Sequence, residues 1–376
     1  MTAAAPNPLL ELRKLGQSAW LDDISRGMLD DGSLARLIRD DGIAGLTSNP
    51  SIFAHSIMKD PKYAQPIAQL LPKVSSGMAL YEELALHDLR DAAALLRPLY
   101  DSSAGGDGFV SMEVSPHLAD DSAGSLSEAR RLWERLRLAN AFIKIPGTQA
   151  GLPVIRDLIA SGNNVNVTLL FSPERYRAVA QAYIEGLTRR AAAGQPLDTV
   201  ASVASFFLSR IDSAVDGLLD GLAGRGQPAA RALRGKAAIA SACRAYEIYE
   251  ELLAGDAWQS LAARGARPQR LLWASTSTKD PSYSPVKYVE ELVVPDTVNT
   301  MPLETLNTYR RSGRPELRLE RHIAEAADVR EGLERLDLDL EAVAQLFERE
   351  GVAKFIEPFD KLQQWLENQR PGRKSS

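Results

Sequence analysis

The sequence predicts an α/β protein built as a closed (β/α)8 barrel, a TIM-type fold, with additional helices at its C-terminus. Three observations carry that prediction. Eight short, mostly apolar runs alternate with longer stretches of helical period between residues 18 and 301. The runs are close to continuously apolar, which marks strands of a parallel sheet covered on both faces. Polar or charged residues stand inside or just after several runs, and in a closed barrel these positions fall near the C-terminal strand ends, where such folds keep their sites.

The candidate strands are SAWLD at 18–22, IAGLTS at 43–48, GFVSMEV at 108–114, FIKIP at 142–146, NVNVTLLF at 164–171, VASVASFF at 200–207, RLLWAST at 270–276 and TVNTM at 297–301. Helical patterns fill 77–100, 125–139, 173–193, 229–254 and 284–293. Eight strands favour closure over an open doubly wound sheet. SSAGGDG at 102–108 and GLAGRGQP at 221–228 read as loops. After about residue 310 the strand signal stops, and IEPFDKLQQWLENQ at 356–369 puts Phe359, Leu362, Trp365 and Leu366 on one helical face. That segment reads as a terminal helix packed on the barrel in preference to a lid over its mouth, followed by a disordered tail at 371–376. Neither a repeat nor a linker divides the chain, so a single domain is expected, with the barrel over about 15–310 and the helical extension over about 311–370.

Of the 376 residues 45% are hydrophobic and 25% charged, enough apolar content for a sizeable core. A net charge of −5 gives no reason to expect a nucleic acid or an anionic membrane as partner, so an anionic ligand would need a local cluster of Arg, Lys and backbone N–H groups. The one cysteine, Cys243, excludes an internal disulfide framework and fits a reducing compartment; its amphipathic surroundings point to a buried, neutral thiol. The N-terminal segment lacks a continuous apolar stretch, and no run approaches the roughly 18 apolar residues of a membrane span. A cytoplasmic protein is expected, either a monomer or a homodimer. His55, His87, His117 and His322 are scattered without metal-ligand spacing, the GxxGxG run at 221–226 lacks a strand–turn–helix context, and no nucleophile elbow occurs. Neither metal nor cofactor is expected.

The polar positions on the strands are Asp22, Asn49, Glu113, Lys144, Asn166 with Thr168, Ser205 with Arg210, and Ser275. Any one alone could be a structural ion pair or a strand cap; their recurrence on several strands points to a site. Lys144 is the most informative, because it stands between Ile143 and Ile145 in an apolar run. Such a lysine is either ion-paired, with Glu113 as the candidate partner, or is an amine whose charged form is disfavoured by its surroundings. A neutral amine can add to a carbonyl and form an iminium, the electron sink that breaking an adjacent C–C bond requires.

GLTSNPSIF at 45–53, VSMEV at 110–114, FIKIPGT at 142–148, NVNVTLLFS at 164–172, SFFLSR at 205–210 and WASTS at 273–277 resemble the successive strand motifs of the transaldolase family. The resemblance covers about residues 15–305 in order, and WLDDISR at the start is similar to the bacterial transaldolase group. It implies transfer of a dihydroxyacetone unit between sugar phosphates in the non-oxidative pentose phosphate pathway, without a cofactor. It implies that Lys144 forms the Schiff base, that Asp22 moves the proton of the donor C4 hydroxyl, and that Glu113 and Thr168 hold the water that exchanges protons during imine formation. Asp22 is preferred to Asp23, which is left as a cap for the following helix. Asn49 and Asn166 match residues that hydrogen-bond the dihydroxyacetone hydroxyls, and Ser205 and Arg210 match the phosphate-binding pair. Phe207 stands where transaldolases carry Phe and fructose 6-phosphate aldolases carry Tyr. One departure concerns the seventh strand, where many relatives have a further arginine and this chain has Ala274-Ser275-Thr276-Ser277. Lys279, two residues on, either supplies that charge or is a solvated loop lysine.

Overall fold

A computed structural model describes residues 7–370 of the chain. The expected C-terminal tail at 371–376 lies outside the described residues, as do residues 1–6.

The apolar runs become parallel strands. We number them β1 (Gln17–Leu21), β2 (residues 44–47), β3 (Val110–Glu113), β4 (Ala141–Pro146), β5 (Val165–Leu170), β6 (Ser202–Phe207), β7 (Arg270–Ala274) and β8 (Thr297–Met301). From β3 to β8 each strand pairs with the next, and β8 pairs with β1, Gln17 opposite Thr297 through Leu21 opposite Met301. The segment we call β2 closes the ring. It joins β1 by a bridge between Leu21 and Leu46 and reaches the edge of β3 by a bridge between Gly45 and Phe109. The expected strand at 43–48 is therefore present as a seam rather than a full ladder. Gly45 explains part of this local geometry: a Cβ there would lie 2.5 Å from the indole of Trp20, so only glycine lets the segment approach β1.

Every residue of β1, β3, β4, β5, β6 and β8 is buried, as strands covered on both faces require. The interior holds an aromatic cluster: the rings of Phe109 and Phe142 stack at 4.3 Å, with Trp20 6.2 Å from Phe142. Burying each such ring contributes about 1.5–3 kcal/mol. Side chains alternate along a strand, so the residues two beyond Trp20 and Phe142 share their interior face. Those residues are Asp22 and Lys144. The apolar plug thus fixes the floor on which the polar groups stand.

The long helical patterns form the outer layer as Gly77–Ser102, Ser122–Leu136, Pro173–Ala192 and Ala237–Ala254. Two expectations need correction. The pattern at 284–293 yields only one turn, Lys287–Glu290, whose Lys287 and Tyr288 side chains bond the buried Asp212 carboxylate at 2.9 and 2.7 Å. The loop expected at 221–228 begins late, since helix Ser209–Gly224 continues through Gly221 while burying Ile211, Val215 and Leu219; burial of that face outweighs the helix cost of glycine. Cys243 is fully buried, and burial pushes its thiol up to about 12.

The C-terminal extension consists of two helices, Leu319–Glu334 and a 29-residue helix, Leu340–Asn368, which runs through Pro358. Phe359, Leu362 and Leu366 face inward as expected, with Trp365 partly buried. The same face begins earlier than the sequence reading placed it, with Phe347, Gly351 and Phe355 at four-residue spacing.

Candidate active site

At the C-terminal ends of the strands a cavity of about 190 Å³ is lined by Asp22, Thr47, Asn49, Lys144, Thr168, Ser205, Phe207, Arg210, Ala274, Ser275, Ser277, Lys279, Thr300, Pro302 and Phe355. Nine of the eleven expected site residues are on that wall. Glu113 and Asn166 are not, and both stand immediately behind it. Larger cavities exist, one of about 620 Å³ beside Arg244 and Arg330 and one of about 360 Å³ at the opposite barrel end around Asp107. Neither holds any of the convergent groups described next.

The Lys144 side chain is 4% exposed and its Nζ lies 3.2 Å from a Glu113 carboxylate oxygen that is equally buried. The adjacent strands β3 and β4 set this pair, since Glu113 and Lys144 stand opposite in register. Lys144 Nζ also donates to the Ser48 carbonyl at 3.0 Å. The ion pair left open by the sequence is thus formed, buried at the cavity wall rather than at the protein surface. Both Glu113 oxygens lack a hydrogen bond of good geometry, so the carboxylate retains acceptor capacity. Desolvation raises the Glu113 pKa, opposed by the Lys144 charge and reinforced by Asp22.

Asp22 is half-buried at the end of β1 and accepts a hydrogen bond from Thr47 Oγ1 at 2.6 Å. Thr47 in turn meets Thr300 Oγ1 at 2.7 Å, joining β1, β2 and β8 around the carboxylate. Desolvation raises the Asp22 pKa, with the Thr47 hydrogen bond and the Lys144 charge pulling it down. Asp23 is not a helix cap: Ser25 caps helix Arg26–Asp30 by accepting from the Met28 N–H.

On the next strands, Ser205 Oγ donates to Asn166 Oδ1 at 2.8 Å and Asn166 Nδ2 donates to Ser111 Oγ at 3.1 Å. Asn166 is fully buried, so this chain of hydrogen bonds holds Ser205 from below and keeps the Asn166 amide off the cavity wall. Thr168 Oγ1 has no hydrogen-bond partner although it is buried and lines the cavity. A buried hydroxyl without a partner is costly unless something arrives to satisfy it. Asn49 caps helix Pro50–Lys59 by accepting from the Ile52 N–H at 3.0 Å, which leaves its amide nitrogen for the cavity it lines.

Strained backbone shapes this rim. Leu169 and Ser275 take left-handed φ values of 60° and 54°. Leu169 sits in the register shift between β5 and β6, where pairing passes from Val167–Ala204 to Leu170–Phe206.

The same wall also carries two cations besides Lys144. Arg210, at the start of helix Ser209–Gly224, lies with its guanidinium carbon 5.9 Å from the Phe207 ring centre, and its buried Nη1 has no partner. Desolvation lowers the Arg210 pKa, offset by Glu350 of the C-terminal helix. Lys279 is exposed yet lines the same cavity, bonded to Ser277 Oγ at 2.6 Å, and its pKa is lowered by desolvation and then by Arg210. Two cations lean on one another here, and among the described residues no carboxylate within ion-pairing distance of either is found; such a wall is arranged for an incoming anion.

The profile of the family described as Transaldolase/Fructose-6-phosphate aldolase matches residues 19–366. This chain belongs to that family. It is 47% identical over 352 residues to "Transaldolase" of Thiobacillus denitrificans, covering 94% of this chain and 97% of that protein. It is 44% identical over 371 residues to "Transaldolase 2" of a Nostoc species, covering 96% and 97%, and 46% identical over 357 residues to "Transaldolase" of a Parafrankia species, covering 94% and 96%. Membership accounts for the barrel and for a cavity at its C-terminal mouth. The sequence reading missed several wall residues. Thr47, Ser277 and Thr300 sit among the motifs but are small hydroxyl residues of ordinary appearance. Phe355 belongs to the C-terminal helix, for which packing on the barrel was preferred to a lid; the structure brings this side chain into the cavity wall.

Proposed function

We propose that this protein is a transaldolase that moves a dihydroxyacetone unit from sedoheptulose 7-phosphate to glyceraldehyde 3-phosphate, giving erythrose 4-phosphate and fructose 6-phosphate. One observation carries the reading: a buried lysine amine on the cavity wall pairs at 3.2 Å with a buried carboxylate behind it, and the same wall carries two further cations. Proton transfer from Lys144 to Glu113 frees the amine to add to the donor C2 carbonyl. Glu113 and the unpartnered Thr168 hydroxyl hold the water through which the carbinolamine loses its oxygen and becomes an iminium. Asp22 takes the C4 hydroxyl proton, the C3–C4 bond breaks, and its electrons pass into the iminium to give an enamine. The released aldehyde leaves, an acceptor aldehyde enters, and the steps reverse with Asp22 returning the proton.

Asn49 contacts the donor hydroxyls from its free amide, with Asn166 supporting through Ser205. Arg210 holds the phosphate with Ser205, and Lys279 supplies the charge that many relatives place on the seventh strand; Ser275 shapes the rim beside them. Phe207 presents an apolar ring to the waiting enamine, which favours transfer over release. The test is borohydride reduction in the presence of fructose 6-phosphate followed by peptide mass mapping. A three-carbon adduct on Lys144 is expected, and its absence in wild type, or its persistence in Lys144→Ala, refutes the reading.

A further inference from the structure

The long C-terminal helix crosses the mouth of the barrel on a single face. Phe347 meets the Phe171 ring at 5.8 Å, and Phe171 meets Phe207 at 5.1 Å. One turn on, Gly351 sits so close to β5 that a Cβ would lie 3.0 Å from Leu169 Cδ2. Two turns beyond Phe347, Phe355 enters the cavity, 4% exposed, with its ring centre 5.7 Å from Lys144 Nζ. One turn further, Phe359 makes an edge contact with Tyr81 at 5.6 Å. The helix is therefore anchored on both sides of the mouth, and Phe355 is the residue that projects where it passes over the lysine.

Polar ties hold the helix in place. Glu348 pairs with Arg175 at 3.1 Å, His117 reaches Asp360 at 2.7 Å, and Glu367 accepts from the Gly77 N–H at 2.7 Å. At about 190 Å³ the cavity beneath is smaller than the roughly 300–1,000 Å³ usual for small-molecule sites. A close roof over a small cavity leaves room beside the amine for little more than the one water assigned to Glu113 and Thr168.

We propose that Phe355 shields the covalent intermediate from water and so helps decide between transfer and release. The inference rests on the transaldolase reading above. After C3–C4 cleavage, Lys144 carries the three-carbon unit as an enamine. Release requires a proton on the terminal carbon, which regenerates the iminium. Water must then add to the imine carbon, and collapse of the carbinolamine returns the lysine amine and free dihydroxyacetone. An aromatic ring against the nitrogen offers no acidic proton and orders no water, whereas an aldehyde acceptor can still enter past the cationic wall. A ring in this position also disfavours solvation of the intermediate without binding either substrate strongly, so its removal changes partition more than affinity.

The experiment compares wild type, Phe355→Ala, Phe355→Leu and Leu362→Ala. Leu362 is fully buried on the same helix and does not line the cavity, so its truncation loosens the helix and leaves the ring over Lys144. Two quantities are read: the borohydride-trapped adduct on Lys144 with fructose 6-phosphate, and the ratio of dihydroxyacetone release to transfer with erythrose 4-phosphate. All four proteins should give the adduct. The ratio should rise about tenfold in Phe355→Ala, a difference of about 1.4 kcal/mol between two barriers. It should rise less in Phe355→Leu and stay at the wild-type value in Leu362→Ala. Failure to trap an adduct in wild type overturns the function itself and not the role of the ring. An adduct with an unchanged ratio in Phe355→Ala, or an equal rise in Leu362→Ala, overturns the shielding role. If Phe355→Ala does not fold, Phe355→Leu decides, and an unchanged ratio there counts against the proposal.

Discussion

Replacing Arg210 by alanine separates ligand binding from stability, because the two respond in opposite senses. In the free protein this guanidinium is poorly served: Nη1 is buried without a partner, desolvation pulls its pKa down, and Lys279 adds a like charge. Removing it eliminates an uncompensated cation, so the unliganded variant should melt within a degree or two of wild type, or slightly above it. Binding should suffer. The loss of charge-assisted hydrogen bonds to a phosphate costs about 1.5–3 kcal/mol, or roughly 10- to 150-fold in KM for fructose 6-phosphate. Lys279→Ala should cost far less, within about 1 kcal/mol and so no more than about fivefold, because its side chain is exposed and screened. Reaction with free dihydroxyacetone or an unphosphorylated ketose should hardly change in either variant. Inorganic phosphate should raise the melting temperature of wild type and lose that effect in Arg210→Ala. The assays are steady-state kinetics on paired phosphorylated and unphosphorylated donors, with thermal denaturation with and without phosphate. An equal loss on both donors, or a large drop in the melting temperature without ligand, would show that Arg210 supports the fold and does not hold the phosphate.

Asp22→Ala should still yield the reduced adduct on Lys144 but cleave the C3–C4 bond slowly, whereas Glu113→Ala should be slow to form the adduct; time-resolved mass spectrometry of trapped protein distinguishes them, and identical defects would contradict the division of roles. Thr47→Val removes the hydrogen bond that lowers the Asp22 pKa, leaving desolvation less opposed. Since Asp22 must be ionised to take the C4 proton, the acidic limb of the pH–kcat profile should lie above the usual carboxylate range in wild type and move to still higher pH in the variant; a limb that stays put or moves down removes Asp22 from the cleavage step.

Much of the site was legible because its residues break a local rule. A lysine between two isoleucines, a glutamate between Met112 and Val114, and an asparagine and a threonine on one strand stand out against apolar neighbours, and barrel geometry then gathers them. The eight strands were legible for the same reason, as apolar runs too short for outer helices. What could not be read depends on distance in the chain or on exact depth in the barrel. Phe355 lies in an amphipathic helix, where an inward phenylalanine is indistinguishable from core until the helix is placed over the mouth. Asn166 and Thr168 share one face of β5, yet the former is bonded to Ser205 and Ser111 while the latter has no partner and lines the cavity.

The seam at β2 makes the barrel mechanically uneven. This segment is tied by three backbone hydrogen bonds to β1 and two to the edge of β3, with one bridged pair on each side, whereas each neighbouring pair of strands from β3 to β7 shares four or more paired residues. Segments with few ladder bonds open at lower free energy than those in a full sheet. Thr47, the Ser48 carbonyl and Asn49 all hang from this segment or its immediate continuation, whereas Lys144, Thr168 and Ser205 stand on fully paired strands. On the proposed mechanism the covalent and phosphate ends of the substrate would meet the fully paired side of the barrel, and the contacts to Asp22 and to the donor hydroxyls would meet the seam. A scaffold divided this way can hold the bound three-carbon unit in register while yielding where one aldehyde must be exchanged for another.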